Sequence, residues 1–112
     1  MLTPIPLDLL PDTALVRVPD GESDRGGAFA EAVEVTNVRY ERVAGIRKED
    51  WQLEDGTTGR LWIDAIQSGG AFEVPAGSKV SVDGGKTWML ASRCKRLEDF
   101  DGEVHHWELE LR

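Results

Sequence analysis

From Val104 to Leu111 the chain reads VHHWELEL, and no other stretch limits the available folds so strongly. Trp107, Leu109 and Leu111 share one side, Glu108 and Glu110 the other, which is the period-two pattern of a strand with one buried face. A helix would scatter the same residues around its axis. The segment is expected to be a strand that the fold requires, packed through its tryptophan and leucines.

Five further segments carry strand signals at short spacing. Leu15 to Val18 is a short one. Ala32 to Val43 is the longest, but Val33 and Val35 share a parity that Val38 and Tyr40 reverse. A bulge or bend near Thr36 and Asn37 is therefore needed to keep both pairs inside, a device by which small barrels turn their corners. Arg60 to Ile66 sets Leu61, Ile63 and Ala65 opposite Trp62, Asp64 and Ile66, so a strand there should be covered on both faces. Lys79 to Val82 and Thr87 to Arg93 read as a hairpin, with the Gly84–Gly85 pair supplying the positive φ that a tight turn demands. An acidic turn, LEDFDGE, leads into the final strand. About six strands, glycine turns and little helical periodicity predict an all-β fold, a small barrel or sandwich.

At 112 residues the chain has room for a single domain, 1–112, with a modest core that a partner surface could extend. Pro4, Pro6 and Pro11 make residues 1–12 an extended arm, with at most one turn around Leu7, Leu9 and Leu10. The barrel is expected over 13–112. Those leucines need an apolar surface, which is either the chain's own barrel or a neighbouring subunit. Two polar segments interrupt the strands. PDGESDRGG is expected to be exposed. Ala44 to Gly59 (AGIRKEDWQLEDGTTG) is charged throughout yet carries Ile46, Trp51 and Leu53. Loops beyond about 12 residues are commonly functional, although a short amphipathic helix around Ile46 to Leu53 is open as well.

The formal net charge is −8, from 21 acidic and 13 basic residues. That argues against a direct grip on nucleic acid, which relies on neutralising phosphates with Lys and Arg. An acidic wall around a conduit would instead let a duplex slide, and solubility alone explains the charge equally well. No run approaches the roughly 18 apolar residues of a membrane span, and Asp8 stands where a signal peptide would carry an unbroken apolar core. A soluble, cytoplasmic protein is expected. The single cysteine, Cys94, has no internal disulfide partner and is expected to be a partly buried structural thiol. Lys95 and Arg96 would favour its thiolate, but no second cysteine or base accompanies it.

The chemistry-bearing motifs are weak. Gly84, Gly85, Lys86 and Thr87 spell the end of a phosphate-binding P-loop, but Val80 stands where the leading glycine should be and a strand-like TWML comes after. Asp99, Asp101, Gly102 and Glu103 make a fragment too short for a calcium loop. His105 and His106 are strand neighbours whose side chains should face opposite ways, which precludes shared metal ligation; His106 is expected to be exposed, at a subunit contact. No catalytic, metal or cofactor-binding residue is assigned, and the chain is not expected to be an enzyme. Of the four tryptophans, Trp62, Trp88 and Trp107 are expected in the core. Trp51, in the charged insertion, is either an interface anchor or a lid on the barrel.

Taken together, IPLDLLPDT, EVTNVRYERV, LWIDAIQS, VPAGSKVSVDGGKTW and HHWELEL resemble the minor capsid protein family of long-tailed bacteriophages, over nearly the whole chain. The resemblance implies a head completion, or stopper, protein of the head-tail connector. Such a protein would form a ring below the portal and adaptor, retain packaged DNA and offer the tail a docking surface. In stoppers of this type a loop between early strands projects toward the channel axis. Here the matching insertion is Ala44 to Gly59, which puts Arg47, Lys48, Glu49, Asp50, Trp51, Glu54 and Asp55 in the channel-closing position. The same resemblance makes Leu7, Leu10, Trp51 and His106 the expected contacts to other subunits or partners. It implies a homo-oligomeric ring when assembled, while the small acidic domain with long loops is expected to be a monomer in free solution, with only transient non-specific contact with DNA and no membrane. An adaptor, a tail terminator, or a free-standing β-barrel module binding a carbohydrate or peptide are the alternatives.

Overall fold

The alternating segments do fold as strands, and the strands close on themselves. A computed structural model describes residues 3–20, 28–42 and 56–112. Within them lie β1 (Asp12–Arg17), β2 (Val33–Arg42), β3 (Gly59–Asp64), β4 (Lys79–Ser81), β5 (Met89–Glu98) and β6 (Val104–Leu111). They form a closed barrel in the order β1-β2-β3-β6-β5-β4. Every pairing is antiparallel. The all-β barrel expected from periodicity is therefore the fold.

Each strand sends its inward residues to one core. Ala14 and Val16 from β1 meet Val35 and Val38 from β2, Leu61 and Ile63 from β3, Val80 from β4, Ala91 from β5, and Trp107, Leu109 and Leu111 from β6. Val74, from the β3–β4 connection, plugs the same interior. Side chains of this size fill a small barrel completely, so it is a packed core rather than a channel.

The parity reversal in β2 is resolved as anticipated. Asp12 pairs with Val38 and Ala14 with Val35, so β2 carries one residue more than β1 across the same interval. The extra residue falls at Thr36–Asn37, where Asn37 adopts φ 53°. Asparagine is among the few non-glycine residues that enter this left-handed region readily. The bulged backbone finds its partners in the turn after β3: Thr36 and Gly69 exchange two backbone bonds of 3.0 and 3.2 Å, and Ser68 Oγ donates to Asn37 O at 2.5 Å. Val35 and Val38 both face inward as a result, whereas Val33, at the rim, stays exposed.

Two expectations need correction. Of the three tryptophans expected in the core only Trp107 is buried; Trp62 is half-buried on the outer wall and Trp88 is exposed. The reason is register: Trp62 opposes Arg39 and Glu108 in an outward-facing row, while Leu61 and Ile63 take the interior. The β4–β5 hairpin forms as expected, with Gly84 and Gly85 both at positive φ, but its connection, Val82–Trp88, is longer than the expected Asp83–Lys86 turn.

The arm folds back onto its own barrel. Leu7–Leu9 makes a single 3-10 turn, and Leu10 beyond it is only 2% exposed. Leu7 and Leu9 face solvent. β2 ends and β3 begins at the barrel end that also carries the Val82–Trp88 connection, while the β5–β6 turn sits at the opposite end.

Candidate functional site

The richest outer surface lies where the arm crosses β2, β3 and β6. Asp64 closes β3 and is completely buried. Its Oδ2 accepts the amides of Ile66 at 2.9 Å and Gln67 at 2.8 Å, which shapes the turn after the strand. Its Oδ1 accepts the Ile5 amide at 2.9 Å and so fastens the arm. A buried carboxylate is tolerated because three N–H groups replace its water. Farther along, Arg39 Nη1 donates to Leu9 O at 3.5 Å.

Beside this clasp β6 is irregular. Leu97 pairs with His106 and Glu98 with Val104, leaving His105 as an extra residue in β6. A bulge re-aims side chains, and here it defeats the expected opposition of the two histidines. Their rings meet edge to face, with Nδ1 to Nδ1 at 2.8 Å. His105 Nε2 lies 2.6 Å from Thr3 O, and His106 Nε2 lies 3.4 Å from Glu108 Oε1. Thr3 O can only accept, so His105 donates from Nε2, and one of the two facing Nδ1 atoms carries the hydrogen they share. Glu108 also accepts from Trp62 Nε1 at 3.1 Å. The His106 hydrogen bond holds the Glu108 carboxyl below its usual range, burial opposes this, and Trp62 and the Arg60 charge add to the lowering. His106 is thus half-buried inside a network rather than openly exposed.

Between arm and wall a cavity of about 370 Å³ opens, lined by Ile5, Leu9, Leu10, Arg39, Trp62 and His106. Next along the outer wall Arg60, Arg93 and Lys95 surround Glu108 and Glu110. Arg93 Nη1 stands 3.9 Å from Glu110 Oε2. Glu110 is itself buried and faces the Arg93 cation, so these are charge-compensated groups of the wall rather than a reactive pair.

The two motif fragments resolve into turns. Asp83 accepts from Thr87 Oγ1 at 2.6 Å, Thr87 N at 3.0 Å and Ser81 Oγ at 2.7 Å. These bonds, those from Thr87 foremost, hold its carboxyl far below the usual range. A carboxylate therefore occupies the centre that a phosphate would need, and the chain runs on into β5, not into a helix. Asp99 Oδ1 accepts the amides of Asp101 at 2.9 Å and Glu103 at 3.2 Å, so it builds the β5–β6 turn. Among the described residues no group of three or more His, Cys, Asp or Glu is arranged to hold a metal ion. Cys94 is half-buried, and burial first, then the Glu73 charge, pushes its thiol up.

Of the residues expected to make contacts, Leu7 is exposed at the arm and His106 borders the cavity. Leu10, the residue after the 3-10 turn, is 2% exposed and lines the cavity between arm and barrel wall. Arg47, Lys48, Glu49, Asp50, Trp51, Glu54 and Asp55 lie outside the described residues. Sequence reasoning missed Asp64, Arg39 and Phe100. An aspartate closing an otherwise apolar strand, and a phenylalanine inside an acidic turn, were the readable signals. Comparison with family models, with curated proteins and with solved structures returns no match.

Proposed function

We infer that this chain is a structural virion protein of a tailed phage, a stopper or head completion protein of the head-tail connector. It joins a ring below the portal and adaptor, retains packaged DNA and presents the tail with a docking surface. The observation that carries this reading is the closed six-stranded barrel in which the one long charged insertion joins β2 to β3, the position of the channel-closing loop in the family the sequence resembles. The folded-back arm and the net charge of −8 agree with a part that is added to a preformed ring and that contacts DNA only transiently.

Function on this reading is assembly, and no catalytic step is assigned. Subunits are monomeric in the host cytoplasm, meet a preformed platform, and make heterologous contacts that close by rotation. Loops brought together at a ring axis act multivalently, so weak contacts per subunit suffice to hold DNA. Adaptor and tail terminator are neighbouring roles within the same connector.

Electron microscopy of particles made without this gene tests the reading. Heads that package DNA and leak it, beside complete unattached tails, are the expected outcome. Normal infectious particles would overturn it. A second reading, a free-standing ligand-binding barrel, has in its favour an apolar groove lined by Val16, Val18, Ala30, Val33 and Phe72 at the barrel rim. Saturable binding of a peptide or carbohydrate there, without an assembly defect, would favour it.

A further inference from the structure

We propose that Phe100 is a docking knob that enters the arm cavity of a second copy of this chain. Phe100 is 99% exposed at the tip of the β5–β6 turn. Single exposed apolar side chains are ordinary on protein surfaces, but a wholly exposed aromatic ring on a braced turn is not.

The brace is specific. Asp99 N donates to Glu103 O at 2.8 Å and Gly102 N to Asp99 O at 3.1 Å. The Asp99 carboxylate takes two further amides, and Gly102 holds φ 81°, a conformation that suits glycine. The ring is therefore presented in a fixed place, and little ordering entropy is lost on docking. Aromatic rings set this way are the usual anchors of protein interfaces.

The socket is the cavity between arm and barrel wall. Ile5, Leu9, Leu10 and Trp62 give it apolar walls, with Arg39 and His106 on its rim, and it measures about 370 Å³. A cavity of about 150 Å³ is enough to hold benzene. Charge favours the match: Asp99, Asp101 and Glu103 lie around the knob, with Glu98 held by Arg96 at 2.9 Å, and Arg39, only loosely paired with Glu41 at 4.0 Å, stands at the socket. The chain's own Phe100 touches almost nothing, so its ring is free to fill the socket of another copy.

Knob and socket are different surfaces, the first at one barrel end and the second on the side wall. Their contact is heterologous, each subunit giving a knob to one neighbour and a socket to the other. This names the subunit interface of the ring and to that extent rests on the ring reading. One aromatic anchor buries far less than the roughly 1,000 Å² of a stable interface, so dilute protein stays monomeric until a platform concentrates it.

Sedimentation velocity at about millimolar concentration reads the contact directly. Wild-type protein is expected to show concentration-dependent association. Phe100→Ser and Leu9→Glu, both at exposed positions and both checked for folding by circular dichroism, should each weaken it by about 30-fold or more. An equimolar mixture of the two variants retains one intact knob and one intact socket, and should give a dimer that grows no further. In parallel, p-benzoylphenylalanine placed at position 100 should crosslink to residues 5–10 of another chain. A wild type that stays monomeric without such crosslinks overturns the proposal. So do crosslinks that map elsewhere, or a variant mixture that forms no dimer. Self-association that persists while particles lacking the gene are normal would overturn the connector reading and leave the knob standing.

Discussion

The Ile5 amide donates to Asp64 Oδ1 at 2.9 Å across fifty-nine positions of sequence. The other oxygen of the same carboxylate shapes the turn that ends β3, accepting Ile66 and Gln67. One side chain therefore sets a local turn and a long-range clasp together. Neither job can be lost alone.

Asp64→Ala removes the acceptor from three amides, and charge-assisted bonds of this kind contribute roughly 1.5–3 kcal/mol each when intact. Rearrangement recovers part of this, so we expect a loss of about 3 kcal/mol in urea unfolding, together with rapid proteolysis of the arm. Asp64→Asn keeps acceptor capacity on one oxygen only and should fall between. An arm that stays protected in Asp64→Ala would show that Leu10 alone holds it.

Acid should loosen the outer network through Glu108. Its carboxyl sits lower in the folded chain than in the unfolded one, chiefly because of His106. A lowered carboxyl stabilises the fold above the unfolded value, about 4.3, and that contribution is lost as pH falls through the folded value. Glu108→Gln should therefore flatten the acid limb of a stability-against-pH curve. At neutral pH it should cost under about 1 kcal/mol, since the group is only partly shielded from water.

Asn37 tests the bulge. Asn37→Val places a β-branched residue at φ 53° and should cost about 1–2 kcal/mol or more. Asn37→Gly relaxes the backbone but gives up the Nδ2 bond to Gln67 O at 3.2 Å, so its midpoint in denaturant should lie close to wild type. A harmless Asn37→Val would mean that the bulge can relocate.

Cys94 should behave as a quiet thiol. Burial and the Glu73 charge both disfavour its thiolate. Iodoacetamide at mildly alkaline pH is expected to modify it several-fold more slowly than the denatured chain, with the difference vanishing in guanidinium. Equal rates would place the sulfur in water.

The sequence disclosed the barrel through particular residues. Val35 and Val38 could not both be inside an unbroken strand, so the bulge between them was legible. Period two, however, states only that faces alternate, not which face is in. Trp62 and Leu61 compete for the interior of β3, and their partners across the sheet decide it. The bulge at His105 carries no parity signal of its own, because neither histidine is strongly apolar, and the meeting of their rings was invisible. Asp64 resembles a solvent-facing turn residue until Ile5 arrives from the arm. The tip phenylalanine reads only as part of an acidic turn, since strand patterns do not rank the residues of a turn.

A sheet that closes upon itself has no unpaired edge. Other β proteins can lengthen by adding a stranger's strand, and the same openness exposes them to aggregation. In this barrel that route is narrowed, since each strand has a neighbour on both sides. Whatever meets it must be met by side chains on its wall and by the turns at its ends, and those are the parts that can change while the hydrogen-bonded hoop beneath them stays the same.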